Sequence, residues 1–278
     1  MLMLRLVPDN TRINFMRLAP WMVGLSLTLL LLSLALIGLR GLNFGIDFTG
    51  GTMVELHFTQ APDIGEIRQD LAAAGYPGLT IQTYGAPDRL LVRVPLAEAD
   101  AKADHHQTGQ AIGAALAARQ HPATVARVEF VGPQMGALLR QQGIYAMIFA
   151  TIAILLYVTM RFEWRFALGA LAALLHDVVI AVGYFALFQH EFSLPVLAAI
   201  LTIIGYSLND TIVVFDRIRE NMRKHVKQGL TEVINLSTNQ VLNRTLMTSV
   251  TTLLVLVALY IWGGPVLQGF AEALIVGI

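Results

Sequence analysis

Three apolar segments of the sequence carry side chains that a membrane does not tolerate for free. LTIIGYSLNDTIVVFDRIREN, Leu201 to Asn221, holds Ser207, Asn209 and Asp210 ahead of its basic end. LLHDVV holds His176 and Asp177, and VLNRTLMTS holds Arg244. A charge in the bilayer core costs from about 2.5 to more than 10 kcal/mol, so such residues face a bundle interior and pair. A carboxylate beside a guanidinium stays ionised; one whose partner has moved away in a low-dielectric site takes up a proton. Asp210 opposite Arg244 is therefore suited to loading and unloading a proton, and His176 beside Asp177 adds two titratable groups. The same residues also fit a blander role. Asp210 and Arg244 could form a static ion pair that sets helix register, and Arg244 could snorkel to the interface alone. Asp216, at the helix end, reads as solvated. Spacing alone leaves both roles open.

The elements that must position these residues are membrane helices. The chain has 278 residues, 55% apolar and 14% charged, against roughly 45–50% and about 25% in soluble domains. Six segments read as spans: residues 19–40, 143–160, 166–188, 194–215, 241–262 and 266–278. A span needs about 20 residues, so the last reads as cut off at Ile278. The first reads as an uncleaved span rather than a signal peptide, since its apolar run and polar leader are both long. Arg5, Arg12 and Arg17 in the tail (residues 1–18), Arg161 and Arg165 in RFEWRF, and the basic helix or loop of residues 216–240 mark one side. QHEFS and GGP carry no Arg or Lys. Both termini are thus expected in the cytoplasm. By the same alternation Asp210 is expected about 9 Å inside the cytoplasmic boundary, with Arg244 at similar depth. The stretch Asp216–Gly229 is expected to continue as a helix, lipid-facing and solvated, or else in contact with anionic lipid or a partner.

Residues 41–142 are polar and fall on the far side. TMVELHF alternates as a strand, Asp63 caps a helix to about Ala74, and LTIQTYG and RLLVRVP read as strands joined by APD. Gln107–Arg119 reads as a helix and Ala123–Val131 as a last strand. The order β-α-β-β-α-β is ferredoxin-like.

Several chemistries are excluded. There is no cysteine, hence no disulfide, thiol catalysis or Cys-ligated metal. Net charge is zero, which implies no nucleic-acid partner. GIDFTGGT follows a span rather than a strand, so it is no nucleotide loop. His105 and His106 lack a third ligand at metal-binding spacing. An intramembrane hydrolase built on His176 and Asp177 would lack a nucleophile. No enzyme and no cofactor are expected.

FGIDFTGGTMVEL after the first span, HDVVIAVGYF in the third and GYSLNDTIVVFDRIREN in the fourth resemble, in order, the SecF side of the SecD/SecF family of bacterial protein-export membrane proteins. TNQVLNRTLMTS and GGPVLQGFA agree. The resemblance covers essentially the whole chain. It implies a six-span half of an RND-type transmembrane bundle with one periplasmic α+β domain, in the bacterial inner membrane. It implies a partner SecD, association with the SecYEG channel and with YajC and YidC, contact with the translocating preprotein and membrane lipid, and use of the proton motive force. The family's fourth-span Asp and fifth-span Arg are implicated in proton coupling; they match Asp210 and Arg244. Asn209 and Ser207 are expected to hydrate that site, with His176 and Asp177 on the proton path. A small-molecule or lipid exporter of the same superfamily is the alternative, although such exporters have two halves and larger outer domains. Glu272 departs from the apolar stretch expected in the last span and receives no role.

Overall fold

The computed structural model describes residues 8, 11–76, 78–95, 105–162 and 164–278. Arg5, with most of the first ten residues of the tail, lies outside them, as do the side chains of His105 and His106. In chain order the elements begin with helix α1 (Phe15–Arg40), strand β1 (Asn43–Phe44), the short helix α2 (Ile46–Thr49) and β2 (Gly51–Phe58). Then come α3 (Ile64–Ala73), β3 (Thr80–Tyr84), β4 (Ala86–Val94), α4 (His105–Ala117) and β5 (Ala123–Val131). The second half holds α5 (Pro133–Arg161), α6 (Trp164–Phe188), β6 (Glu191–Phe192), α7 (Leu194–Lys224), α8 (Leu230–Trp262) and α9 (Pro265–Gly277).

Among the described residues α1, α5, α6, α7 and α8 are long and apolar enough to cross a membrane, and α9 is an apolar helix too short to do so. The chain divides into two compact units. The first is helical and comprises residues 1–43, 147–190 and 195–278; the second comprises residues 44–146 and 191–194.

Helices α1, α5, α7 and α8 outrun the apolar runs that mark them, α5 starting at Pro133, ten residues before the expected span. Helix α8 starts at Leu230, well before residue 241, and its early polar turns have work to do. Asn239 accepts from the Ile13 N–H at 2.9 Å and donates to the Ile13 carbonyl at 2.8 Å, and Asn235 accepts from the Met16 N–H at 3.0 Å. Asn14 caps the same end by accepting from the Arg17 N–H at 3.1 Å. These bonds satisfy donors that the first turn of α1 leaves unpaired. At the other junction, α7 ends at Lys224 rather than continuing to Gly229. His225 and Gln228 form a turn there, and Gly229 is already the extended cap that opens α8.

The second unit is built on a four-stranded sheet of order β3-β4-β2-β5. Every pairing is antiparallel, with Val54 opposite Val92 and Val128. With α3 and α4 in the connections this is the ferredoxin-like β-α-β-β-α-β arrangement. Alternation along β2 buries Val54 and Leu56, which join Ile67, Leu71, Ile112 and Leu116 in the core. Asp63 caps α3 by accepting from the N–H groups of Gly65 and Glu66. The expected APD connection is strand instead: β4 already begins at Ala86, because Gly85 at φ +77° turns the chain alone. The GG pair also has a reason. Gly51 has φ +136°, and a Cβ there would meet the Val94 carbonyl oxygen at 2.8 Å, so no other residue fits.

Four residues from between α6 and α7 belong to this sheet unit. Asp47, on α2, accepts from the N–H of Leu194 at 2.8 Å, the first residue of α7. Negative charge at a helix start is favourable. Glu191 pairs with Arg93 at 3.0 Å and accepts from Gln82 at 3.0 Å, while Arg93 donates to the Phe44 carbonyl at 2.5 Å. Phe44 meets Phe48 and Phe192 edge-on at 5.9 Å.

Burial pushes the Glu191 carboxyl above its ordinary 4.5, with Asp47 adding to the rise and Arg93 opposing it. A carboxyl raised in the folded state contributes stability that is complete below the unfolded value and is lost as pH rises through the folded one. Glu191→Gln removes that loss. The melting temperature of the variant relative to wild type, in detergent, is expected to climb between about pH 4 and pH 7. A difference that stays flat across that range would show that burial does not dominate this carboxyl.

Candidate functional site

The intramembrane polar residues converge on α6 and α7, which the short link of residues 189–193 makes antiparallel neighbours. Asp177 is the hub. Ser207 on α7 donates to its Oδ2 at 2.6 Å, and His176 Nδ1 lies 2.9 Å from its Oδ1. Hydrogen bonds to a carboxylate are roughly twice as strong as neutral ones, so this bond pins α6 to α7. The side chains of His176 and Asp177 are 31% and 30% exposed. The His176 Nε2 is buried with no hydrogen-bond partner among the described residues, as are the Tyr206 hydroxyl, Asn243 Oδ1 and Thr245 Oγ1.

Asp210 follows Ser207 by three residues and therefore shares its face of α7. It is half-buried, whereas Asn209 is exposed and Arg244 on α8 is exposed. The guanidinium of Arg244 lies within electrostatic reach of Asp210, but no ion pair within 4.0 Å joins them. Asn221 of α7 donates to Ser237 at 2.9 Å and to Gln240 at 2.8 Å, clasping α7 to α8. From that clasp Asp210 lies eleven residues along α7, about 16 Å, whereas Arg244 lies four to seven residues along α8, about 6 to 10 Å. Counted along ideal helices from that clasp, the two positions differ in rise by about 6 to 10 Å.

Asp216 is not merely solvated. Arg161, the last residue of α5, donates to both of its oxygens at 3.1 and 3.0 Å. Phe162, Phe166 and Phe215 pack beside this pair with centroids 5.0 to 6.2 Å apart. Downstream, Glu220 pairs with Arg217 at 2.7 Å and Lys224 at 2.6 Å, so the basic helix carries its own counter-charge. No group of three or more candidate metal ligands occurs among the described residues.

Sequence reading passed over two groups. Asp47 and Glu191 lie in short segments at the ends of spans, and each is a lone carboxylate in an apolar context, the signal that picked out Asp210. Glu272 carried that signal plainly, but its partners Tyr184 and His190 come from distant positions and only the fold brings them together.

Ser207→Ala leaves a carboxylate oxygen of Asp177 without its donor. A hydrogen bond of this kind contributes about 0.5–1.5 kcal/mol net, so the variant is expected to melt a few degrees lower in detergent. Ser207→Thr, which keeps the hydroxyl, should recover most of the loss; equal melting of the alanine variant and wild type would show that the bond carries nothing.

The chain was compared with known proteins. The family model described as protein export membrane protein SecD/SecF, C-terminal, matches residues 111–278, and the SecD/SecF GG motif matches residues 35–62. The protein translocase subunit SecF of Desulfurispirillum indicum is 49% identical over 270 residues, covering 96% of this chain and 86% of that protein. Its counterpart in Pseudomonas aeruginosa is 46% identical over 268 residues, with 96% and 85% covered. The crystal structure of SecDF, a translocon-associated membrane protein from Thermus thermophilus, superposes with a TM-score of 0.87 at 38% identity. That match takes in 98% of this chain but 37% of the SecDF chain. A SecDF structure in a super-membrane-facing form matches with a TM-score of 0.64. With a family model across more than half its length and relatives this similar along nearly all of it, the chain belongs to the SecD/SecF family of protein-export membrane proteins, on its SecF side.

Proposed function

We propose that this chain is a non-catalytic, auxiliary subunit of the Sec translocase which, with SecD, couples the proton motive force to late-stage movement of preproteins across the bacterial inner membrane. In this reading both termini face the cytoplasm, the sheet unit faces the periplasm, and the chain works beside the SecYEG channel, with YajC, YidC, the preprotein and membrane lipid as further contacts. Asp210 binds the proton and Arg244 is its charge partner at a distance. Ser207, bonded to Asp177, joins that carboxylate to the Asp210 stripe, Asn209 hydrates the site, and His176 with Asp177 extends the path across α6. No cofactor is needed beyond the proton gradient.

One observation carries the reading. Asp177, Ser207 and Asp210 form a row across α6 and α7, with the Asp177–Ser207 bond at 2.6 Å and Asp210 one turn beyond it on the same face. The row ends opposite a guanidinium that acts on Asp210 without being locked to it. A closed ion pair would hold the carboxylate charged in every state; an open one lets a shift of α8 against α7 decide its protonation. The exporter alternative has no observation in its favour.

Asp210→Asn removes the titratable group while keeping shape and hydrogen bonding. In vesicles reconstituted with the partner subunit and channel, the variant is expected to insert normally and to lose proton-dependent stimulation of preprotein export. Stimulation at the wild-type level in that variant refutes the assignment.

A further inference from the structure

Glu272 stands in α9 between Ala271 and Ala273, which are both fully buried, and Leu274, which is 4% exposed. A carboxylate in such a setting needs partners. Its Oε1 accepts from the Tyr184 hydroxyl of α6 at 2.7 Å and lies 2.8 Å from Nδ1 of His190, in the α6–α7 link. All three residues belong to the helical unit. The described contacts of Glu272 include no Arg or Lys, so its neighbours are groups that exchange protons rather than a fixed positive charge. Exposure is graded. The His190 side chain is 43% exposed and that of Glu272 is 16% exposed, so the imidazole meets solvent and the carboxylate sits behind it. Aromatic rings hold the imidazole in place: Tyr184 stands perpendicular to it with centroids 5.9 Å apart, Phe185 at 6.3 Å and Phe188 at 5.8 Å.

The cluster lies where α6 ends. Arg40, the last residue of α1, donates to the Leu187 carbonyl at 2.7 Å, and Gln189 donates to the Gly41 carbonyl at 3.2 Å. This is the end of the helical unit away from the basic α7–α8 connection. Tyr184 is seven residues from Asp177 on α6, two turns along one face and about 10 Å in rise. The cluster and the Asp177–Ser207 site therefore occupy one stripe of the same helix.

We propose that His190, Glu272 and Tyr184 form a second proton-binding station, which collects protons at the outer end of the helical unit and hands them inward toward Asp177. This rests on the proton-coupled reading given above. In the step, neutral His190 carries its proton on Nδ1 toward Glu272. Its Nε2 takes a proton from hydronium on the aqueous side, giving imidazolium beside carboxylate. The Nδ1 proton then passes to Oε1, leaving an imidazole protonated on Nε2 and a neutral carboxylic acid; this transfer conserves charge, and the station as a whole has gained the one proton taken from solvent. Tyr184 keeps its proton throughout and donates to the oxygen that receives the transfer, which aligns it. The titratable groups facing Glu272 are Tyr184 from α6, His190 from the link and, through its effect on Tyr184, Tyr260 from α8, with Arg40 of α1 one turn from His190. Among the described contacts α7 supplies none.

A collecting station matters most when protons are scarce, and that separates it from a structural bond. Full-length protein, reconstituted with its partner subunit and channel in vesicles under an imposed proton gradient, is assayed for proton-driven stimulation of preprotein export against pH on the His190 side. Glu272→Gln and His190→Gln are each expected to lower stimulation about tenfold near pH 8 and only slightly near pH 5.5, where protons are abundant enough to enter without a collecting group. Glu272→Asp should recover part of the loss. The station is overturned if both glutamine variants follow the wild-type profile, or if both lose activity equally at every pH, which is the mark of a structural role. If Glu272→Gln fails to insert, the His190 variant decides alone. Asp210→Asn is run alongside: its normal stimulation would remove the coupled reading itself, whereas its silence together with unmoved pH profiles of the other variants removes only the outer station.

Discussion

The interaction on which the helical unit turns is the hydrogen bond from Ser207 to Asp177. Apolar helices in a membrane gain little by choosing one rotation over another, because lipid is as apolar as a neighbouring leucine. A carboxylate changes that. Asp177 lies beside His176 on its own helix and accepts from one hydroxyl of α7, and that second bond ties the rotations of α6 and α7 together. Once Ser207 faces α6, Asp210 one turn on is fixed in the same stripe, and Tyr184 two turns from Asp177 is carried to the α9 side where Glu272 waits. One polar contact thus sets where three other ionisable groups lie.

Helix α7 is also held at its first residue. Leu194 is clasped by the Asp47 carboxylate within the sheet unit, and Glu191, three residues earlier, is gripped by Arg93 and Gln82. At its other end α7 is clasped to α8 through Asn221 and tied to α5 through Asp216. The clasps consist of hydrogen bonds and ion pairs, which have discrete donors and acceptors. An element held in this way moves as a rod or by exchanging one partner for another, and it bends little between clasps. On the proposed reading, a charge change at Asp210 acts on an element whose first residue already belongs to the sheet unit.

Much of this was legible in the sequence, and for a physical reason. Apolar blocks of about 20 residues can only be helices in a bilayer, and strict alternation in TMVELHF can only bury one face of a strand. The ferredoxin-like order followed from those patterns together with one helix cap at Asp63. Ionisable residues in apolar runs stand out for the same energetic reason, which is how His176, Asp177, Ser207, Asn209, Asp210 and Arg244 were found. What the sequence hid was register between helices. Helix α8 begins at Leu230, eleven residues before its apolar run, and Asn221 clasps it to α7 through Ser237 and Gln240. Pairings such as Arg161 with Asp216, or Glu272 with His190 and Tyr184, join residues 55 to 88 positions apart or in different elements, and no local pattern carries that information.

The open gap between Asp210 and Arg244 has a consequence in energy. In an environment of effective dielectric near 20, unit charges 4 Å apart attract by about 4 kcal/mol, and at 8 Å by about 2 kcal/mol. A tenfold change in an equilibrium takes about 1.4 kcal/mol. On the proposed reading, a change of a few ångströms in the Asp210–Arg244 separation suffices to change the proton occupancy of a carboxylate at this position by more than tenfold. Had the two heads met in a closed bidentate pair, breaking it would expose two unpaired charges at a cost of about 3–5 kcal/mol, and the helices would be locked instead of poised. Asn221, Ser237 and Gln240 clasp α7 to α8, so on the proposed reading these uncharged residues bear on how far Arg244 stands from Asp210 without touching either.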